Sequence, residues 1–103
     1  MASGLLGSAS LSAATNTTLY TVPSAKTAAL SVNFCNRNET SVTVRLAVGT
    51  NATPAAADWM LYDVVIPGDG SLERSGIVLD ASKLVVVYSS AANVSVQAYG
   101  YED

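Results

Sequence analysis

The chain of 103 residues carries a net charge of −3, and only 13% of its residues are charged whereas half are hydrophobic. Its five cations are scattered singly, so no basic stripe exists to bind nucleic-acid phosphates or an anionic membrane surface. The sequence has no histidine, which excludes Ser-His and Cys-His catalysis, and its single cysteine excludes an intramolecular disulfide.

The low fraction of charged residues indicates what the surface of the protein contacts. An average soluble domain is roughly 25% charged, whereas this small domain is 13% charged and has a large surface to cover for its volume. Serine and threonine supply part of the polar surface. We favour burial of the remaining surface against other chains, because the cores of protein interfaces are depleted in charged residues.

Small residues dominate the first stretch of the chain, residues 2–14 (ASGLLGSASLSAA). Its leucines would anchor either an edge strand or an arm laid over a neighbouring subunit. Residues 18–22 (TLYTV) then predict a short strand that ends at Pro23, since proline has no N–H to donate to a ladder.

The segment from Leu30 to Val48 (LSVNFCNRNETSVTVRLAV) has the clearest pattern. Apolar residues occupy alternate positions on both sides of a polar break at residues 36–40. This period of two is typical of strands with one buried face, and Asn36 and Asn38 suit a turn. We therefore predict a hairpin of two antiparallel strands. Cys35 within it is interpreted as a small hydrophobe or a thiol facing a neighbour.

Residues 49–58 (GTNATPAAAD) interrupt the pattern and form the longest predicted loop, with a short helical turn after Pro54. Residues 59–66 (WMLYDVVI) predict a strand that ends at a turn over residues 67–70 (PGDG). Simple alternation places Met60, Tyr62, Val64 and Ile66 on one face of this strand, and Trp59, Leu61, Asp63 and Val65 on the other.

The last third of the chain predicts three more strands. Residues 72–79 (LERSGIVL) form a weaker strand with a bulge at Gly76. Residues 83–88 (KLVVVY) are a nearly continuous apolar run that suits a strand covered on both faces. A hairpin turn over residues 89–93 leads into the final strand, residues 94–101 (VSVQAYGY). We expect the charged tail, Glu102-Asp103, to be exposed.

These segments amount to seven or eight short strands, separated by turn residues, with no amphipathic helix. This is the pattern of an all-β protein, an antiparallel β-sandwich of jelly-roll or immunoglobulin-like type that occupies residues 1–103 as one domain. The cysteine pair of antibody domains is absent, because the chain has one cysteine.

The residue types give no support for an enzyme. Without histidine, and with its acids on or beside predicted turns, the sequence offers no catalytic, cofactor-binding or metal-binding residues, and we expect no cofactor. Binding residues concentrate on loops held by a rigid scaffold, so the 49–58 loop and the tryptophan after it form the candidate partner-binding surface. The candidate residues are Trp59, Asn51, Thr53, Pro54 and Asp58.

Two further sets of side chains are interpreted structurally. The aromatic residues are expected to pack in the core with their hydroxyls at its rim, in preference to forming a sugar-stacking platform. The charged set is expected to pair between strands or across a subunit boundary, where an exposed pair contributes about 0–1 kcal/mol. The aromatic set comprises Tyr20, Trp59, Tyr62, Tyr88, Tyr99 and Tyr101, and the charged set comprises Arg45, Asp63, Glu73 and Arg74.

Three long stretches carry a resemblance to a known family: residues 4–48 (GLLGSASLSAATNTTLYTVPSAKTAALSVNFCNRNETSVTVRLAV), 62–79 (YDVVIPGDGSLERSGIVL) and 85–103 (VVVYSSAANVSVQAYGYED). Together they resemble the small virion proteins of tailed bacteriophages, particularly those that infect cyanobacteria. The resemblance spans nearly the whole chain and rests on short sequence segments such as TNTTLYTVP, CNRN and LERSGIVL. It includes no catalytic motif. It implies a β-sandwich subunit without active-site residues.

The resemblance implies a non-enzymatic structural protein of the virion, assembled in the cytoplasm of the host bacterium. One implied placement is a capsid decoration or cement protein that clamps neighbouring capsid subunits, and the other is a component of the tail, baseplate or fibre. Its partners would be copies of itself, as a homo-oligomer such as a trimer about a local symmetry axis, and virion proteins such as the major capsid protein. A carbohydrate- or receptor-binding module that uses Trp59 and the 49–58 loop is the competing interpretation.

Overall fold

The computed structural model describes residues 3–103. Within that range the chain forms eight strands and one 3-10 helix, and no helix is long and apolar enough to span a membrane. The all-β prediction is confirmed, as is the helical turn after Pro54. In chain order the elements are β1 (Ser3–Leu11), β2 (Thr17–Thr21), β3 (Ala28–Asn36), β4 (Val42–Gly49), the 3-10 helix (Ala56–Asp58), β5 (Trp59–Ile66), β6 (Ser71–Leu79), β7 (Leu84–Ser89) and β8 (Val94–Glu102).

The strands form two four-stranded antiparallel sheets. The first sheet has the order β1-β8-β3-β6 and the second has the order β2-β7-β4-β5. Each strand of the first half of the chain is hydrogen-bonded to its counterpart in the second half: β1 to β8, β2 to β7, β3 to β6 and β4 to β5. The chain is therefore a long two-stranded ribbon rolled up on itself. Of the two sandwich types predicted from the sequence, this is the jelly roll.

The hairpin predicted between Leu30 and Val48 is wrong in its pairing, although both of its strands are present. β3 belongs to the first sheet and β4 to the second, and the five residues 37–41 cross from one sheet to the other. Both strands bury their apolar side chains in the same core, but they approach it from opposite sides. The hairpin predicted at residues 89–93 fails in the same way, because β7 and β8 also lie in different sheets.

The N-terminal segment is an edge strand of the first sheet. β1 pairs with β8 along its length. Of the two predictions for residues 2–14, the edge strand is therefore confirmed from Ser3 to Leu11, and Ala2 lies outside the described residues.

A single apolar core lies between the two sheets. Alternate side chains of β3 are buried in it from the first sheet, and alternate side chains of β4 from the second, so the period of two in the sequence is the observed pattern of burial. Each large apolar side chain buried in this way contributes about 1.5–3 kcal/mol. The fully buried members of this core include Phe34, Leu46, Ile66, Val22, Val32, Val44, Val85, Val87, Val94 and Val96.

One predicted irregularity of the strands is confirmed, and one predicted burial pattern is confirmed in part. In β6, Ile77 pairs with Leu30 but Arg74 pairs with Val32, so β6 has an extra residue there, and Gly76 adopts a φ of +74° within this bulge. In β7, Val86 is buried although it lies on the face away from the core, where it pairs with Ala47. Leu84 and Tyr88 on this outer face are only half-buried, so the prediction of a strand covered on both faces holds at Val86 alone.

Asn36 connects the two sheets at one end of the sandwich. Its side chain is buried, and its Nδ2 donates to the carbonyl oxygens of Thr40 (2.9 Å), Ile66 (3.2 Å) and Pro67 (3.0 Å). Its Oδ1 accepts from the backbone N–H of Asn38 at 3.0 Å. The sequence assigns Asn36 only to a turn, whereas the structure uses it to join the end of β3 to the end of β5.

The C-terminal tail is held to the fold, which corrects the expectation that both of its residues are exposed. Asp103 exchanges two backbone hydrogen bonds with Thr27 (2.8 and 3.0 Å), and Glu102 is half-buried. The Tyr20 hydroxyl, on the second sheet, donates to the Glu102 carboxylate on the first. Burial, and then the hydrogen bond to Glu102, raise the pKa of Tyr20 from 10.0 to about 12.

The Tyr20–Glu102 contact predicts a specific loss of stability in alkali. Because the folded-state pKa of Tyr20 lies above its ordinary value of 10.0, the neutral hydroxyl stabilises the fold below pH 10, and this contribution is lost as the pH rises to about 12. We expect the thermal midpoint of the wild type to fall more steeply across that window than the midpoint of Tyr20→Phe. Parallel curves for the two proteins would contradict the contact.

Candidate partner-binding site

The loop chosen from the sequence, residues 49–58, is exposed but closed at its base. The Asp58 carboxylate accepts the backbone N–H of Ala55 at 2.9 Å, and the Asp58 N–H donates to the Ala55 carbonyl at 3.0 Å. A Cβ on Gly49 would lie 2.6 Å from the Asp58 carboxylate, so a larger residue at this position would displace the carboxylate that closes the loop. Asn51 and Thr53 are exposed between these ends, and Pro54 is half-buried.

Trp59 follows this loop at the start of β5. It pairs with Ala47 of β4 and is half-buried. Its ring meets the ring of Tyr62 edge to face, with centroids 5.4 Å apart and an interplanar angle of 73°, a geometry that aromatic pairs favour. Trp59 is therefore held by a strand and a neighbouring ring.

A bulge at Asp63 corrects the faces predicted for β5. Asp63 has a φ of +54°, and Tyr62 and Asp63 together stand opposite the single residue Arg45, since Leu46 pairs with Leu61 and Val44 with Val64. The extra residue ends the simple alternation. In consequence Leu61, Val64 and Ile66 pack on the core, whereas Tyr62, predicted to share the face of Ile66, is exposed.

Arg45 occupies the centre of the surface that this bulge creates. Its Nε donates to Asp63 Oδ1 at 2.6 Å and its Nη2 to Asp63 Oδ2 at 3.3 Å. The guanidinium carbon lies 4.2 Å from the ring centroid of Tyr62, 4.4 Å from that of Tyr88 and 5.9 Å from that of Trp59. We call these five residues, Arg45, Trp59, Tyr62, Asp63 and Tyr88, the Arg45 cluster.

The charges of the Arg45 cluster compensate each other. The hydrogen bond from Arg45 lowers the pKa of Asp63, and the same bond raises the pKa of Arg45. Both side chains therefore stay ionised at neutral pH as a bidentate pair. Because the folded-state pKa of Asp63 is depressed, the pair stabilises the fold above the ordinary pKa of 3.8 and loses that effect in stronger acid.

The chemistry that this surface offers is stacking and hydrogen bonding. Within residues 3–103, no group of three or more cysteine, aspartate or glutamate side chains converges as a metal site would require. The acids are engaged singly: Asp58 with its own loop, Asp63 with Arg45, and Glu73 with the hydroxyl of Tyr99. None of these pairs resembles the two facing carboxylates of a glycosidase.

The structure brings together residues that the sequence treats separately. Trp59 and Asp58 lie at the base of the predicted loop, but the centre of the surface is Arg45, which the sequence places only in a charged set. Within that set the Arg45–Asp63 pair is confirmed. The aromatic prediction is confirmed for Tyr20, which packs against the core, and is wrong for the others: Tyr62 and Tyr101 are exposed, and Trp59, Tyr88 and Tyr99 are half-buried away from the core. The one feature of the sequence that points to this surface is the outward position of Arg45 in β4.

No family model matches the chain, and no curated protein matches it.

Proposed function

We propose that this protein is a non-enzymatic structural subunit of a bacteriophage virion, of the decoration or cement type, which stabilises the head by contacting neighbouring subunits. The phage assignment comes from the resemblance of residues 4–48, 62–79 and 85–103 to small virion proteins of tailed phages. The jelly roll supports it as one of several uses of the fold, since capsid proteins share this architecture with lectin domains and cupins.

The observation that carries the proposal is that apolar side chains are exposed on both outer faces of the sandwich. Leu5, Val78 and Tyr101 lie outside the first sheet, and Tyr62 and Val65 lie outside the second. Exposed apolar groups gathered in this way mark interaction sites. A subunit that holds neighbours together needs two such faces, whereas an enzyme needs one cleft.

A second candidate is a tail, baseplate or fibre component that binds a carbohydrate or receptor on the host surface. The Arg45 cluster favours it, because an exposed tyrosine beside a fixed Arg–Asp pair combines a stacking surface with hydrogen-bonding groups. The loop of residues 49–58 borders this cluster through Trp59. Jelly-roll lectin domains show that the fold accommodates such a use.

Co-sedimentation with phage heads tests the proposal. The probe is a preparation of tailed-cyanophage heads from which the small outer proteins have been stripped. We expect the wild type to sediment with these heads, and Trp59→Ala to bind at least about tenfold more weakly, because a buried aromatic anchor dominates most interfaces.

The control is Thr18→Ala, which alters an exposed residue at the opposite edge of the same sheet and should bind like the wild type. Absence of head binding, together with adsorption to host cells that Trp59→Ala abolishes, would transfer the assignment to the second candidate. Absence of both head binding and adsorption to host cells would overturn both candidate functions.

A further inference from the structure

In the described strands, register shifts are confined to the ladders that edge strands form. The interior ladders are regular: β3 and β8 pair over nine consecutive residues, and β4 and β7 over six. Within residues 3–103, each of the four ladders that join an edge strand to its neighbour contains at least one shift. The irregularity therefore follows the position of a strand in its sheet.

In each of these four ladders the extra residue belongs to the edge strand and not to its interior neighbour. Leu6 is the extra residue of β1 opposite β8, and Leu19 is that of β2 opposite β7. In β6, Ser75 and Gly76 together stand opposite the single residue Ser31 of β3. The two bulges of the β4–β5 ladder likewise lie in β5. Each bulge thus bends a strand that has one free side.

The free side of an edge strand is where another chain can add a strand, because its N–H and C=O groups have no partner in the sheet. Addition requires a regular row of these groups. The β6 bulge leaves regular runs of only four and three residues, and no regular run of β5 exceeds three. A typical strand has about five or six residues, so neither edge offers a full-length row.

We infer that these bulges block the addition of a further strand at all four sheet edges, so that copies of this chain do not polymerise edge to edge. Each sheet has two different edges, and contacts between unlike surfaces that do not close into a ring produce open filaments. The block prevents this outcome. It is a property of the isolated chain and is independent of the proposed function.

On one side of the sandwich the two edges also shield each other. A Cβ on Gly7 of β1 would collide with the carbonyl oxygen of Leu19 in β2, so the two edge strands are in contact at this point. Leu19 is the extra residue of β2, and Gly7 directly follows Leu6, the extra residue of β1. Both leucines pack on the core. The bulges therefore bring β1 and β2 together across the gap between the sheets.

On the other side, β5 and β6 carry further obstacles to a strand. Asp63 in β5 and Gly76 in β6 have φ values of +54° and +74°, which take the backbone out of the extended conformation at each bulge. Arg74 of β6 pairs with Val32, whose side chain is fully buried, so Arg74 lies on the core-facing side of its strand, yet it is exposed. A charge in this position is a known means of protecting a sheet edge.

The β6 bulge is the one in which this role is clearest. Bulges also serve to redirect side chains, and the bulge at Asp63 does so by creating the Arg45 cluster. In β6, however, Ser75 and Gly76 are both exposed, so this bulge places no side chain in the core. β6 is therefore the strand on which the block is best tested.

Deletion of Gly76 makes β6 regular, because Ser75 alone then faces Ser31 while the pairs on either side are unchanged. Combined with Arg74→Val, the deletion should produce filaments that electron microscopy detects. They should appear at a concentration at least about tenfold below that at which the wild type leaves solution, since several cross-strand pairs are gained. Gly76→Asn is the matched control. It keeps the extra residue, and asparagine tolerates a positive φ, so it should behave like the wild type.

Arg74→Val with the bulge intact is the second variant, because it replaces an exposed side chain without altering the ladder. It should lower the same concentration by about two- to fivefold, the range of a single cross-strand pair, and Arg74→Lys should not. Circular dichroism and the thermal midpoint establish that each variant is folded.

Two results would overturn the inference. One is a folded deletion variant that forms no more filaments than Gly76→Asn. The other is a deletion variant that loses its fold while Arg74→Val and Arg74→Lys behave alike, since the bulge would then serve the fold and not the edge.

Discussion

Replacing Asn36 by leucine is expected to lower the free energy of unfolding by about 3 kcal/mol, although leucine has a similar volume and is more apolar. The side-chain amide donates to three carbonyl oxygens, those of Thr40, Ile66 and Pro67. Leucine would remove this donor from all three oxygens. The Pro67 oxygen keeps the Gly70 N–H at 2.9 Å, but those of Thr40 and Ile66 would lose the Asn36 donor at a part-buried and a buried site, and unsatisfied buried polar groups cost about 1–3 kcal/mol each. For a domain of this size the thermal midpoint should fall on the order of 15 °C.

Asn33→Leu is the matched control, since Asn33 lies on the same strand but on its outer face, half-buried. It should change the stability by less than about 0.5 kcal/mol. Thermal unfolding followed by circular dichroism measures both variants. If the two variants melted together, Asn36 would not be the connection between the sheets that its hydrogen bonds indicate.

Phe34→Ala is expected to cost about 4 kcal/mol, within the range of 3–5 kcal/mol measured for such truncations in protein cores. Phe34 is fully buried, and it is the only phenylalanine in the chain. Its ring lies on the inner face of β3, between the two sheets. The loss combines the transfer energy of the ring with the cavity that the surrounding valines and leucines cannot fill.

Urea denaturation gives the measurement for Phe34→Ala. The midpoint should move to lower urea while the m-value stays constant, which indicates a change in stability without a change in the denatured state. Cys35→Ala is the control, because this neighbour points to the opposite face and is exposed. Equal shifts in the two variants would contradict the assignment of the two faces of β3.

The strands of this fold could be predicted from the sequence, but their partners could not. Alternation in residues 30–36 and 42–48 indicates which side chains are buried, and burial looks the same whichever sheet a strand joins. The five residues that follow Asn36 are as suitable for a hairpin as for a crossing between sheets. The crossing depends on contacts made far along the chain, including those of Asn36 with Ile66 and Pro67.

Only part of the candidate site could be predicted from the sequence, because the rest, like the strand pairing, depends on structure that alternation does not indicate. Trp59 and its loop stood out because a large aromatic residue follows a break in the pattern. Arg45 did not, because its contacts with Tyr62 and Tyr88 depend on the backbone of Asp63, which has a φ of +54°. An aspartate in this conformation is uncommon, and alternation alone predicts a regular strand through it.

The rolled-up ribbon also determines when the molecule can acquire its structure during synthesis. Among the ladders within residues 3–103, only β4–β5 joins strands that are adjacent in sequence, whereas β1 must wait for β8, which is synthesised after the other seven strands. Pairing between distant segments slows folding to the range of about milliseconds to seconds. We expect the β4–β5 pair to form first and the earlier strands to expose unpaired edges until β8 has been synthesised, a state in which a nascent chain is prone to aggregate.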